Sequence, residues 1–161
     1  MSSAPGQGAT FEIYLPQSAQ PTGETTEIAL APSSLRGSET ILLVEDEPSV
    51  RRASRRFLEE HGYKVLEAVD GGDAIRLCER HEGPLDLVIT DVVMPGMSGR
   101  ELGERVARLR PETPVLYVSG YVDTALVRAG LPETAVHLLQ KPFSAESLAR
   151  KVREMLDPST A

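Results

Sequence analysis

The sequence predicts an α/β fold: a doubly wound, five-stranded parallel sheet with helices on both faces. Three observations lead there. After Glu39, five short apolar runs alternate with longer segments of helical periodicity. The runs are continuous rather than alternating, the pattern of strands buried on both faces. Finally, 161 residues with 40% hydrophobic and 25% charged side chains suit one domain with a real core plus a tail. Strict strand–helix alternation implies parallel strands joined by right-handed crossovers.

The first run is Ile41-Leu42-Leu43-Val44. A helix follows with Val50, Ala53, Phe57 and His61 on one face; Pro48 suits its first turn and Gly62 its stop. Val65-Leu66 with Ala68-Val69 make the second strand, followed by a helix from about Gly72 to Arg80 that turns Ala74, Ile75 and Cys78 inward. Leu85 to Ile89 form the third strand. Leu102, Val106 and Leu109 mark the next helix, which Ser98-Gly99-Arg100-Glu101 opens as a capping box. Val115-Leu116-Tyr117-Val118 is the fourth strand, and Thr124 to Ala129 has room only for a short helix before Gly130. Val136-His137-Leu138-Leu139 is the fifth strand. Ser144 caps a last helix whose stripe is Leu148, Val152, Met155 and Leu156.

The front of the chain differs. Pro5-Gly6-Gln7-Gly8 is a turn signal leading into Thr10 to Leu15, a β-rich run stopped by Pro16. Residues 17–38 are rich in Ser, Thr, Pro, Ala and Gly, with only Ile28-Ala29-Leu30 apolar, and read as a flexible linker. The formal net charge of −7 argues against a nucleic-acid partner. A single cysteine, Cys78, excludes an internal disulfide framework and suits a reducing compartment. No apolar run has membrane-spanning length and no secretory signal is visible, so the expectation is a cytoplasmic protein without membrane contact.

Ligands of open α/β sheets sit beyond the carboxyl ends of the strands. Strand one ends in Glu45-Asp46-Glu47, strand three in Asp91, strand four in Ser119-Gly120 and strand five in Lys141-Pro142. Strand two ends in Ala68-Val69 and stays out of this rim. Glu45, Asp46 and Asp91 would repel one another unless a counter-charge sat among them. Mg²⁺ suits oxygen ligands of this kind, held by one or two carboxylates plus a phosphate. Lys141 adds a mobile positive charge for a phosphate oxygen, Ser119 a hydroxyl, and Gly120 space. Phosphoryl transfer needs chiefly positioning and charge neutralisation, and a carboxylate can be its nucleophile. Asp91 is the candidate, because it ends the central strand and opens the Met94-Pro95-Gly96 loop.

Those residues carry a resemblance. "ILLVEDEPSVRR", "DLVITDVVMPGMSG", "VLYVSGY" and "LLQKPFS" are similar, in order, to the signatures of the receiver domain of two-component signalling, over residues 39–157, with 158–161 as a tail. The resemblance implies a flavodoxin-like (βα)5 fold with strand order 2-1-3-4-5. It implies a phosphoacceptor at Asp91 and Mg²⁺ as cofactor, with Asp46 ligating directly, Glu45 through water, and Asp91 and the Val93 carbonyl completing the set. Ser119 matches the switch hydroxyl and Lys141 the lysine before a cis proline. It further implies phosphoryl transfer from a histidine-phosphorylated kinase domain to Asp91, then repacking around the fourth helix, fifth strand and fifth helix. That surface can also pair receivers into dimers. Where many receivers carry an aromatic residue three positions before the lysine, this chain has Leu138. Tyr121, with Val93, is placed to modulate access of water to the phosphoryl group.

The remaining candidates are weaker. His61, His81 and His137 form no site, and Cys78 reads as a small buried helix residue. Arg51, Arg52, Arg55 and Arg56 read as a solvated face, with docking of an acidic or phosphorylated partner as the alternative. "PGQGATFEIYLP" resembles the last glycine box and closing strand of the ATP-binding domain of sensor histidine kinases, with Ala9 in place of the usual Thr. Residues 1–16 are thus expected to be its remnant, with Gly6 and Gly8 binding no nucleotide here. The whole then resembles the C-terminal part of a hybrid sensor histidine kinase. Its donor histidine would lie in the same parent polypeptide, with a histidine phosphotransfer protein downstream. On its own the expected activity is at most slow self-dephosphorylation. The alternatives are a stand-alone response regulator and a Mg²⁺-dependent aspartate-nucleophile phosphohydrolase, which usually carries its nucleophile in a DxD pattern on the first strand.

Overall fold

The computed structural model describes residues 2–3, 9–10, 35–120 and 137–157. Among the described residues, nine elements form the main body. In chain order they are β1 (Thr40–Val44), α1 (Pro48–Glu60), β2 (Lys64–Ala68), α2 (Gly71–Arg80), β3 (Leu87–Asp91), α3 (Gly99–Leu109), β4 (Val115–Ser119), β5 (His137–Gln140) and α4 (Ala145–Leu156). The sheet runs β2-β1-β3-β4-β5 with every neighbour parallel, as the resemblance implies. The short helix expected at 124–129 lies outside the described residues. So does nearly all of the expected Thr10–Leu15 strand; Thr10 itself takes part in a two-residue antiparallel ladder with Ser2–Ser3.

Two cores sandwich the sheet because successive strand residues point to opposite faces. Ile41 and Leu43 of β1 join Leu58, Leu116, Val118, Leu148 and Val152 on one side. Leu42 and Val44 join Ala74, Cys78, Val88, Leu102 and Val106 on the other. Each leucine or valine so buried contributes about 1.5–3 kcal/mol. β1 and the apolar part of β3 are buried throughout, as continuous runs predict, while the edge strands β2 and β5 are half exposed.

The helix ends follow local chemistry. Ser98 and Glu101 make the reciprocal capping box of α3. Ser144 caps α4 by accepting from Ser147 N at 3.1 Å. Glu47 caps α1 and Pro48 opens it; Gly62, at φ 94°, takes the left-handed turn after it. Two inward faces differ from expectation. In α1 the buried line is Ser54 and Leu58, while Val50, Phe57 and His61 flank it and Ala53 is exposed. Ala53 and Phe57 stand one position before Ser54 and Leu58, about 100° around the helix, and the small polar Ser54 hides the buried line. In α3, Leu109 is 42% exposed, because the helix ends there and Val106 already fills the core.

Contacts of the domain reach back to Leu35 at the pole where the strands begin. Leu35 is buried, its carbonyl accepts from Tyr63 Oη at 3.1 Å, and Gly37 N donates to His61 O at 3.1 Å. Buried Arg153 secures this corner through Glu39 at 2.7 Å and Asp157 at 2.6 Å. Hydrogen bonds to Asp157 and Glu39 outweigh burial and hold that guanidinium firmly charged.

Candidate functional site

The opposite pole carries the candidate site. Glu45 and Asp46 leave the end of β1, Asp91 closes β3, Ser119 closes β4, and Lys141 follows β5. Because β1, β3, β4 and β5 are consecutive neighbours, in-register pairing alone gathers these residues. Val92 N donates to Val118 O at 2.9 Å and Lys141 N to Ser119 O at 2.7 Å, which extends the ladder into the loops. Gly99 lets α3 press on the Asp91 turn: a Cβ there would lie 2.1 Å from Asp91 O.

Carboxylate oxygens of Glu45, Asp46 and Asp91 lie within 4.8 Å of one another. The Lys141 ammonium is wedged between two of them, 2.7 Å from Glu45 Oε2 and 2.7 Å from Asp91 Oδ2. The peptide bond from Lys141 to Pro142 is cis. Glu45 is only 5% exposed, whereas Asp46 is open to solvent. Burial works against charge on Lys141, but hydrogen bonds with Asp91 and Glu45 outweigh it and hold its pKa above the usual lysine value. One ammonium against three carboxylates leaves a surplus of negative charge and hard oxygen donors, a donor set that fits Mg²⁺. Asp46 and Asp91 would hold the ion, with buried Glu45 behind them.

Both oxygens of Asp91 are engaged, since Val93 N donates to Oδ1 at 2.9 Å. Val93 itself is 73% exposed. Ser119 is buried at the end of its strand. Tyr121, Gly6 and Gly8 lie outside the described residues. Leu138 sits in register beside Tyr117 of β4, whose hydroxyl packs against Gly103 of α3. Next to Lys141, an open groove is lined by Val50, Ala53, Gly120, Pro142 and Phe143.

The histidines and Cys78 have structural surroundings. His61 Nδ1 lies 2.9 Å from Phe57 O and its ring rests on Phe57; His81 Nε2 lies 3.3 Å from Pro84 O. Cys78 is buried, which pushes its thiol pKa up.

Two residues escaped the sequence reading of the site. Arg51 donates to Glu45 O at 2.7 Å and to Asp46 O at 3.4 Å, and its Nε lies 3.6 Å from Glu67 Oε2. Glu67 belongs to β2, so that strand does support the rim, one residue below its end. Arg55 pairs with Glu59 and Glu67, and Arg56 with Glu60. The arginine face of α1 is therefore largely paired within the molecule.

The sequence model of the response regulator receiver domain matches residues 41–153. The sensor kinase CckA of Brucella abortus (strain 2308) is 37% identical over 159 residues, 94% of this chain but 17% of that protein. The chain thus spans about a sixth of that relative's length. The crystal structure of the receiver domain from hybrid histidine kinase CckA is 39% identical, covering 73% of this chain and 99% of that one with a TM-score of 0.63. The response regulator TrrA of Thermotoga maritima, solved with Mg²⁺ and BeF, is 30% identical over 73% of this chain and 99% of its own, with a TM-score of 0.62. Among the described residues, no helix is long and apolar enough to cross a membrane.

Proposed function

The chain belongs to the response regulator receiver domain family of two-component signalling, and on that premise we propose that Asp91 accepts a phosphoryl group from a phosphohistidine. The observation that carries the proposal is Lys141 bridging Glu45 and Asp91, with the three carboxylates drawn together around it. An Asp91 carboxylate oxygen forms the new O–P bond as the N–P bond of the donor breaks, and the electron pair of that bond stays on the imidazole. The product is an acyl phosphate, with no change in oxidation state. Asp46 and Asp91, with the Val93 carbonyl, would hold Mg²⁺, with Glu45 acting through water, and the ion would supply charge neutralisation for the phosphoryl oxygens.

Oδ1 of Asp91 is held by Val93 N and Oδ2 by Lys141, so the carboxylate is fixed in orientation while each oxygen keeps a lone pair for attack. Lys141 is suited to move, because a single-point ammonium on a flexible stem can follow charge from carboxylate to phosphoryl oxygen. Its backbone bond to Ser119 couples β4 to the same event. The Ser119 hydroxyl is then drawn toward the phosphoryl group, and the surface around β5 and α4 repacks. Val93 and Tyr121 tune water access to the acyl phosphate. The groove beside Lys141, with Val50, Ala53 and Phe143, is the docking face for the donor's helix.

The likeness to CckA runs over 94% of this chain, beyond the receiver match that begins at residue 41. That extent supports the C-terminal part of a hybrid sensor histidine kinase over a stand-alone regulator. The donor histidine would then lie in the same polypeptide, working in the cytoplasm, with a histidine phosphotransfer protein to receive the group onward. The test is intact mass after incubation with acetyl phosphate and Mg²⁺. One stable phosphoryl adduct, absent from Asp91→Asn, is expected. Rapid turnover without an adduct would indicate a phosphohydrolase instead.

A further inference from the structure

We propose that Arg51, aimed by Glu67, is a positioning residue that fixes the backbone of the acidic loop and so sets its affinity for a divalent cation. The inference rests on the reading of Glu45, Asp46 and Asp91 as the cation site. Asp46 is exposed, and its carboxylate can be no better placed than the short loop between β1 and α1 that carries it. The side chain that grips this loop is Arg51. Its Nη1 donates to the carbonyls of both acidic residues, at 2.7 and 3.4 Å. Among the described residues, no other side chain donates to either carbonyl.

Arg51 is itself held. Its Nε faces Glu67 Oε2 at 3.6 Å, and the two side chains are only 14% and 27% exposed. Arg55 pairs with the same carboxylate, so two guanidinium groups bracket Glu67. Glu67 lies in register with Leu43 on the neighbouring strand, one step before the strand ends at Val44 and Ala68. A rigid strand therefore supports a planar guanidinium, which in turn supports the loop. A lysine could supply the charge but not the fork, with one edge on the loop and another on Glu67.

The sign of the effect separates this role from simple electrostatics. Arg51 is a cation beside a cation site, so by Coulomb's law its removal should tighten Mg²⁺ binding. Positioning predicts the opposite. Residues that orient metal ligands from behind typically change affinity by about 10–100-fold.

The test uses the full 161-residue chain, with Mg²⁺ affinity measured by titration calorimetry. Arg51→Ala is expected to bind Mg²⁺ roughly tenfold more weakly. Arg51→Lys keeps the charge and should still bind several-fold more weakly. Amide hydrogen exchange without metal gives the second readout: exchange at Glu45, whose N–H donates to Ala68 O at 3.3 Å, should accelerate in Arg51→Lys while β3 stays protected. Unchanged or tighter binding in Arg51→Lys, or unchanged exchange, overturns the proposal. If the parent chain failed to bind Mg²⁺, the reading of the site would fall. Faster exchange at Glu45 would then still establish the clamp, and unchanged exchange would refute it.

Discussion

Replacing Lys141 by Met removes one charge and keeps most of the volume. Its ammonium lies 2.7 Å from Glu45 Oε2 and 2.7 Å from Asp91 Oδ2. At an effective dielectric of about 20, each contact is worth about 6 kcal/mol of gross attraction. Desolvating the ammonium offsets several kcal/mol of that. The net effect is governed by Glu45, which at 5% exposure would be left as a buried carboxylate beside two others. Breaking a buried pair in this way costs roughly 3–5 kcal/mol, and that loss is expected for Lys141→Met at pH 7 in EDTA. Urea unfolding followed by circular dichroism measures it.

The pH dependence has a definite sign. In the parent chain the burial of Lys141 is outweighed by its hydrogen bonds with Asp91 and Glu45, so its folded-state pKa is raised. Its contribution is complete below the unfolded lysine value of about 10.4 and is lost as pH rises through the folded one. The stability difference is thus fully present at neutrality and closes as pH rises through the folded-state value. Saturating Mg²⁺ should narrow it as well, by returning positive charge to the cluster. A variant within about 0.5 kcal/mol of the parent at pH 7 in EDTA would refute the reasoning.

Two further outcomes test packing. Arg110 Nε and Nη2 donate to Cys78 O at 3.2 and 3.0 Å, Nη1 to Gly83 O at 3.3 Å, and Nη2 also to His81 O, closing the end of α2. Arg110→Ala should cost about 2–3 kcal/mol and lower Tm by about 6–10 °C, and an unchanged Tm would count against this capping role. Gly103→Ala would normally gain about 1 kcal/mol of helix propensity. Here its Cβ would lie 2.0 Å from the Tyr117 hydroxyl, so a net loss of about 1 kcal/mol is expected. Tyr117→Phe should relieve part of that loss, and a double-mutant cycle without coupling between the two sites would contradict the contact.

The sheet and its rim were legible because their signals are local. The runs at Ile41 and Leu87 announce buried strands, Ser98 with Glu101 announces a cap, and Gly62 announces a turn. Asp91, Ser119 and Lys141 were found because each stands within two residues of the end of an apolar run, and parallel pairing aligns such ends automatically. The Arg51–Glu67 support was not legible. Glu67 sits inside a strand, where a charge reads as solvent-facing, and its meeting with Arg51 exists only once β2 lies beside β1. The buried line of α1 was missed because Ser54 carries no hydrophobic signal. Arg110 looks like an ordinary surface arginine until α2 and α3 are set side by side.

The anchoring of Leu35 by Tyr63 fixes where a tether attaches. Any domain joined to the chain ahead of Leu35 is leashed at the pole opposite Asp91. β1 alone spans about 16 Å at ~3.3 Å per residue, so with its loops the leash must pass on the order of 20–25 Å of flank. A coil of n residues reaches about 5–6 Å × √n, which makes roughly twenty residues the length at which a tethered donor finds Asp91 most often. Shortening such a leash would lower the effective concentration of donor at the site without altering a single contact there. Rate of transfer from such a tethered donor would therefore be adjustable by spacing alone.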